Sequence, residues 1–165
     1  YQPVDNLCNA IKSLVYGFPR KSAYQTLNAT GYLENSIPDD AEAIRWLNKN
    51  VKGQPVVLEA CGDSYQNYDN RVSAMTGLPT VLGWYVHEWL WRNNLEEENQ
   101  RKADVETIYT STDKNKIQEL IKKYHVVYLF IGTCEYEKYG KINTDLLDSL
   151  GQVVFRKGKT LIIKV

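Results

Sequence analysis

Two spacings of apolar residues dominate the second half of the chain. After Asp113, apolar residues recur at i, i+3, i+4 and i+7 from Ile117, which predicts an amphipathic helix that begins at Asp113 and ends at His125. The next run, 126–131, is apolar at every position, as in a central parallel strand covered on both faces. Helix and buried strand therefore follow one another directly.

The same criteria predict the other elements. Asp39 and Asp40 fit the start of a helix that runs to about Asn50, because carboxylates stabilise a helix N-terminus. Two apolar runs flank Lys157-Gly158-Lys159, which is a hairpin signal. The remaining predictions are a strand at 55–60, a short strand at 79–83, helices at 70–76, 87–92, 103–109 and 143–150, a solvated loop or helix end at 93–102, and a strand-end loop at 132–135.

The order of these elements predicts an α/β fold: a mostly parallel sheet flanked by helices, a Rossmann-like three-layer sandwich, with a C-terminal antiparallel β-hairpin. Leu58, Leu82 and Phe130 are expected in neighbouring strands of that sheet. Residues 1–37 are interpreted as an N-terminal connecting segment with a short helix. Residues 38–165 are interpreted as the α/β domain, so that the chain forms a single domain overall.

Composition narrows the function. The 165 residues carry 20 Lys plus Arg and 20 Asp plus Glu, so the net charge is zero, which argues against nucleic-acid binding. The chain starts at Tyr1 and its only methionine is Met75, so we expect it to be processed or excised from a longer protein. The three cysteines lack CxxC spacing and are expected to be small buried residues.

Candidate ligand-binding residues follow the predicted strands, because ligands of such sheets bind beyond the carboxyl ends of the strands. Gly62 stands without the glycines of a phosphate-binding loop, so no nucleotide is expected. No metal is expected either, since Trp91 occupies the second histidine position of the metal-binding HExxH motif. No cofactor and no catalytic residue are predicted. The candidates are Asp63, Tyr65, Trp84, His87, Glu88, Trp91, Arg92, Glu135 and Tyr139.

Three interpretations of these residues stay open. The tryptophans around 84–91 offer flat faces for a sugar, with Glu88 and Arg92 to bind hydroxyls or phosphates. The same residues fit a packed structural cluster, in which Arg92 pairs with Glu88 at i, i+4. Cys61 and His87 could also form a nucleophile and base in a thiol hydrolase.

Several stretches resemble one family of large multi-pass membrane proteins, the DUF2298 or Tyr-Tyr-Tyr family, in its C-terminal water-exposed domain. The membrane part of that family resembles GT-C glycosyltransferases, which use lipid-linked sugar donors. The most specific stretch is RVSAMTGLPTVLGWYVHEWLWR at 71–92. The others are TLNATGYL (26–33), AIRWLN (43–48), LEACGDSYQNY (58–68), DVETIYTSTD (104–113) and YLFIGTCEYEKYG (128–140).

The resemblance implies an accessory domain on the extracytoplasmic side of the cell membrane, in a protein whose catalytic carboxylates lie outside this chain. Its implied partners are its own transmembrane domain and a glycan or lipid-linked sugar, with neither nucleotide nor nucleic acid. The alternatives are a protein-interaction module that docks on its own membrane domain and a stand-alone Cys/His hydrolase.

Overall fold

The computed structural model describes residues 31–63, 68–92 and 95–165, without the side chain of Arg92. The predicted N-terminal helix and Tyr65 lie outside these residues. Contacts divide the chain into two units, Tyr1–Gly31 and Tyr32–Val165, and apart from Gly31 every described residue belongs to the second. The described helices are α1 (Gly31–Ser36), α2 (Pro38–Asn50), α3 (Arg71–Thr76), α4 (Tyr85–Arg92), α5 (Leu95–Thr110), α6 (Lys114–Lys123), α7 (Thr133–Tyr139) and α8 (Thr144–Asp148). The described strands are β1 (Val56–Leu58), β2 (Val126–Ile131), β3 (Gln152–Lys157) and β4 (Thr160–Lys164).

The described residues form a mixed α/β fold whose sheet has the strand order β1-β2-β4-β3. Only β1 and β2 are parallel; β4 is antiparallel to β2, and β3 is antiparallel to β4. The prediction of a mostly parallel, Rossmann-like sheet is therefore wrong. The predicted C-terminal hairpin is confirmed, and it adds its second strand directly to β2, where a parallel strand was expected.

The predicted strand at 79–83 accounts for part of this difference. Leu58 pairs with Leu129, so β1 and β2 are neighbours as expected, but the third segment makes only an isolated parallel bridge between Val57 and Thr80. Side chains take the carbonyl groups that a strand would use: Asn70 donates to the oxygen of Leu82 at 3.0 Å, and Arg101 to that of Val81 at 2.9 Å. Leu82 is therefore buried beside the sheet instead of within it.

Apolar side chains cover both faces of the sheet, as expected for a three-layer arrangement. Along β2, Phe130 belongs to the core cluster that contains residues of α2 and α3, such as Leu47. Its neighbour Leu129 belongs to the opposite cluster, with Ile108 of α5 and Ile117 of α6. Successive strand residues point to opposite faces, so the continuous apolar run of β2 serves two cores.

The predicted helix from Asp113 is confirmed. Most of segment 93–102, expected to be a solvated loop or a helix end, forms the first part of α5, and the loop expected at 132–135 is the start of α7. Asp113 caps α6 by accepting the amide hydrogens of Asn115 at 2.9 Å and Lys116 at 3.2 Å. Helix α5 includes most of the charged segment 93–102, because its glutamates lie in the first turn, where the helix dipole favours them. The segment after β2 is α7, whose first turn is closed by Glu135 accepting the amide of Gly132 at 2.8 Å.

Candidate functional site

A buried ion network lies where β1 and β2 end. Its members are Asp40, Arg71 and Glu135, and their side chains are completely buried. Arg71 donates from Nε to Oδ2 of Asp40 at 2.8 Å and from Nη2 to Oε2 of Glu135 at 2.7 Å. A second bond, from Nη1 to Oε1 of Glu135 at 3.4 Å, makes the pairing with Glu135 bidentate.

Backbone donors from both strand ends complete the coordination of Glu135. Its Oε1 accepts the amide of Ala60 after β1 at 2.8 Å, and its Oε2 accepts the amide of Gly132 after β2 at 2.8 Å. Glu135 is the third residue of α7, so the first turn of that helix aims the carboxylate back at the sheet. The side chain therefore connects β1, β2, α3 and α7.

Asp40 is held in a similar way from the other side. Its Oδ1 accepts the hydroxyl of Thr160 at 2.6 Å, and its Oδ2 accepts the amide of Thr133 at 3.1 Å. Because Asp40 lies in the first turn of α2, it fixes that helix against the start of β4. Together the contacts of the ion network join β2, at its carboxyl end, to β1, β4, α2, α3 and α7.

The charge on Arg71 persists despite its burial. Burial by itself lowers the pKa of Arg71, but Glu135 and Asp40 outweigh it, so the pKa lies well above its usual value. The guanidinium group also lies over the ring of Phe130, with 5.0 Å from Cζ to the ring centroid. Two buried carboxylates thus share one buried cation, and three backbone amides and the hydroxyl of Thr160 supply further hydrogen bonds to them.

A third buried acid, Glu59, caps α3 directly after β1. Its two oxygens accept the amides of Val72 at 2.8 Å and Ser73 at 2.7 Å. Burial raises the pKa of Glu59, while the bonds from Ser73 and the charge of Arg71 act against that rise. Its carboxylate is therefore committed to the start of the helix that carries Arg71.

The cysteines near these strand ends are buried and protonated. Burial raises the pKa of the Cys61 thiol, and it raises that of Cys134 to about 12. A nucleophilic cysteine needs the opposite shift, because the thiolate is the reactive species. These environments argue against the thiol hydrolase that pairs Cys61 with His87.

Tyr139, another of the candidate residues, makes an aromatic contact within the described part of the chain. Its ring stacks on that of Tyr109, with the centroids 5.0 Å apart and the planes 16° from parallel. The hydroxyl of Tyr109 donates to the carbonyl oxygen of Phe130 at 2.7 Å and lies 3.2 Å from that of Leu58. Burial also raises the pKa of Tyr139, so its hydroxyl stays neutral.

Three candidate residues, Trp84, His87 and Glu88, lie within α4 or directly before it. The indole N–H of Trp84 donates to the carbonyl oxygen of Asp69 at 3.2 Å, and its ring centroid lies 5.2 Å from that of His87. The carboxylate of Glu88 accepts the amide of Gly83, five residues earlier in the chain, at 2.6 Å. Trp84, His87 and Glu88 are half-buried. Their contacts therefore hold α4 in its orientation, and they also position the parts of these side chains that solvent reaches.

The end of α4 and the start of α5 carry an exposed apolar surface, defined here by Leu90, Trp91 and Leu95. Their exposed fractions are 63%, 85% and 46%. Exposed apolar groups that lie close together mark interaction sites more often than isolated ones do. Among the sequence candidates, Trp91 and Asp63 are the ones that face solvent in the described part of the chain.

Sequence reasoning missed most of the ion network. Glu135 was a candidate, but Arg71 and Glu59 were not, and Asp40 was interpreted only as a helix-start residue. The sequence offers one signal for these residues: each charged residue lies beside an apolar segment that predicts a helix or a strand.

Within the described residues no cluster of His, Cys, Asp and Glu is arranged to hold a metal ion. None of the described helices is long and apolar enough to cross a membrane.

Comparison with known proteins gives one structural likeness. No family model matches the sequence, and no curated protein matches it. Among solved structures, the chain is similar to the C-terminal globular domain of an oligosaccharyltransferase from Archaeoglobus fulgidus. The TM-score is 0.44 at 12% identity, and the match covers 75% of this chain and 94% of that domain.

Proposed function

We propose that this chain is a non-catalytic accessory domain of a membrane-embedded glycosyltransferase, on the extracytoplasmic side, and that it docks on the membrane part through the exposed apolar surface. The observation that carries the proposal is the exposure of Leu90, Trp91 and Leu95 at the junction of α4 and α5. Exposure of large apolar side chains to water costs free energy, so three of them within a short stretch of sequence favour an interface.

The polar residues at the strand ends support the non-catalytic part of the proposal. Asp40, Arg71 and Glu135 satisfy one another in a completely buried network, and Glu59 is used as a helix cap. An acid or base that catalyses a reaction must reach a substrate within hydrogen-bond distance. These buried groups have internal partners, and their function is to position helices.

The surroundings of the exposed apolar surface favour a protein partner over the lipid surface. Glu96 and Glu97 are exposed in the first turn of α5, next to Leu95. Carboxylates are repelled by anionic lipid headgroups, whereas a protein can offer basic side chains around an apolar centre. The sequence resemblance of 71–92 to a domain attached to a GT-C-like membrane part supports that membrane part as the partner.

The test is glycan transfer from a lipid-linked donor by membranes that contain the full-length protein. Replacing Leu90, Trp91 and Leu95 together by serine is expected to lower transfer about tenfold or more, because central interface residues contribute about 2 kcal/mol or more each. The control is Tyr32→Ser, which removes another exposed aromatic residue, 39% exposed, on α1. Unchanged transfer in the triple variant, with the protein still folded and present in the membrane, rejects the docking role.

A direct contact with the glycan is the second candidate, favoured by the flat and 85% exposed ring of Trp91. Aromatic faces suit the C–H surface of a sugar, but leucine side chains do not supply such a face. The two candidates therefore separate by single substitutions. If Trp91→Ser alone reproduces the whole loss while Leu90→Ser and Leu95→Ser leave transfer unchanged, glycan contact replaces docking as the function of this surface.

A further inference from the structure

A solvent-accessible groove of about 530 Å³ lies at the carboxyl end of β2, next to the start of β4. Ile131, the last residue of β2, pairs with Leu161 of β4, so the groove occupies the edge of the sheet where ligands of α/β folds bind. Its size falls within the range of roughly 300–1,000 Å³ that is usual for small-molecule sites. The groove is lined by Ser36, Ile37, Pro38, Asp39, Thr133, Tyr136, Glu137, Gly158, Lys159 and Thr160.

The ion network forms a rigid support for this groove. Thr133 and Thr160 line it, and both are bonded to the buried Asp40, at 3.1 Å and 2.6 Å. Asp40 is in turn fixed by Arg71 at 2.8 Å. Groups that are held in place before a ligand arrives lose little entropy on binding, which favours affinity.

Hydrogen-bonding groups of both kinds surround the groove. The N-cap residue of α2, Ile37, makes no side-chain hydrogen bond to the first turn, which Pro38 opens, so the amide of Asp39 is a candidate donor in the lining. The hydroxyls of Thr133 and Tyr136 can donate and accept. Burial raises the pKa of Tyr136, which keeps its hydroxyl protonated.

The charges around the groove nearly cancel. Asp39 lies 3.8 Å from Lys157 in an ion pair, and the remaining ionic side chains of the lining are Glu137 and Lys159. A strongly charged ligand therefore meets charges of both signs. The lining also includes three residues with apolar groups, Ile37, Pro38 and Tyr136.

We infer that this groove binds one neutral saccharide unit, with apolar lining residues against C–H groups of the sugar and the hydroxyls and amides on its hydroxyl groups. The groove is distinct from the exposed apolar surface, so the inference does not rest on the proposed docking. It assigns to the isolated chain a measurable binding activity for a hydroxyl-rich ligand.

The experiment uses the 165-residue chain and saturation-transfer NMR with titration by glucose, galactose, mannose and N-acetylglucosamine, each tested separately. Glucuronate and glycerol serve as charged and acyclic comparisons. We expect at least one neutral sugar to bind with a Kd of about 10 mM or lower, and glucuronate and glycerol to bind more weakly. Absence of binding by all four sugars overturns the inference, as does equal or tighter binding of glucuronate.

Variants locate the binding. Thr133→Val preserves shape and removes one hydroxyl, and Tyr136→Ala removes the aromatic ring from the lining; each is expected to weaken binding about fivefold to tenfold. Thr110→Val is the matched control, because its hydroxyl bonds only to the carbonyl of Glu106 on an exposed face of α5. If both groove variants, still folded by circular dichroism, bind the sugar as tightly as the unmodified chain, the groove is not the site and the inference fails.

Discussion

Arg71 and Glu135 form a bidentate ion pair across 64 positions of sequence, with both side chains completely buried. Glu135 also accepts amides from the residues that follow β1 and β2, Ala60 and Gly132. The pair therefore fixes the helix that starts at Arg71 to the edge of the sheet from which the candidate surfaces extend.

Arg71→Met is expected to lower the free energy of unfolding by about 3–5 kcal/mol, because it leaves two carboxylates buried without their cation. The measurement is urea denaturation followed by circular dichroism. Arg156→Met is the control: Arg156 pairs with Asp148 at 2.7 Å, but its side chain is 55% exposed, and such pairs contribute less than about 1 kcal/mol. Equal losses in the two variants would show that the buried network adds nothing beyond a surface pair.

Glu59 gives a prediction for pH dependence. Burial raises the pKa of Glu59 in the folded chain above the ordinary 4.5. The contribution of Glu59 to stability is therefore complete at pH values below 4.5 and is lost as the pH rises through the pKa of the folded state. The stability of the unmodified chain relative to Glu59→Gln is therefore expected to fall as the pH increases above about 4.5, by at most about 1.4 kcal/mol per pH unit. Urea denaturation of both proteins between about pH 4 and pH 8 measures the difference, and a difference that rises with pH would contradict a raised pKa.

Tyr109 connects the two parallel strands through its hydroxyl. Tyr109→Phe removes the donor to the carbonyl of Phe130 at 2.7 Å and leaves buried acceptors without it, at an expected cost of about 1–3 kcal/mol. Tyr85→Phe is the matched control, because the hydroxyl of Tyr85 donates to Asn99 at an exposed position and its loss costs little. Thermal unfolding compares the two, and a larger loss for Tyr85→Phe would refute the assignment.

Gly158 tests the approach of the β3–β4 turn to α2. Its backbone has φ +54°, and a Cβ there would overlap the carboxylate of Asp39. Gly53→Ala, at φ +77° with nothing nearby, carries conformational strain alone, which costs about 1 kcal/mol. Gly158→Ala is expected to cost more in chemical denaturation by less than about 1 kcal/mol, because the flexible carboxylate of Asp39 must turn away, and adding Asp39→Ala is expected to recover this excess. No recovery in the double variant would mean that the overlap does not cause the loss.

The sequence predicted the elements whose pattern is local. The helix capped by Asp113 and the apolar strand 126–131 were found because their periodicity and caps lie within one segment. The hairpin around Gly158 was found for the same reason. The position of this hairpin beside β2 was not predicted, because the partner of a strand is decided by side chains far away in sequence.

The candidate surfaces were predicted only in part. Trp84, His87 and Glu88 were expected to lie together, and they do, because His87 and Glu88 lie in one short helix and Trp84 directly precedes it. Glu135 was expected at the strand-end loop and is completely buried there, since its partner Arg71 comes from another helix. Sequence patterns do not reveal such pairs, because burial of a charged residue depends on a partner that only the folded chain supplies.

The most direct test of the docking role uses a photoreactive p-benzoyl-phenylalanine in place of Trp91, in the full-length protein within its native membrane. We predict a crosslink from position 91 to the membrane-embedded part, identified by mass spectrometry. The same residue in place of Lys122, exposed on α6, is expected to give no such crosslink. Crosslinking of position 91 only to glycan or lipid, or to the membrane part no more than position 122 does, would contradict the docking role.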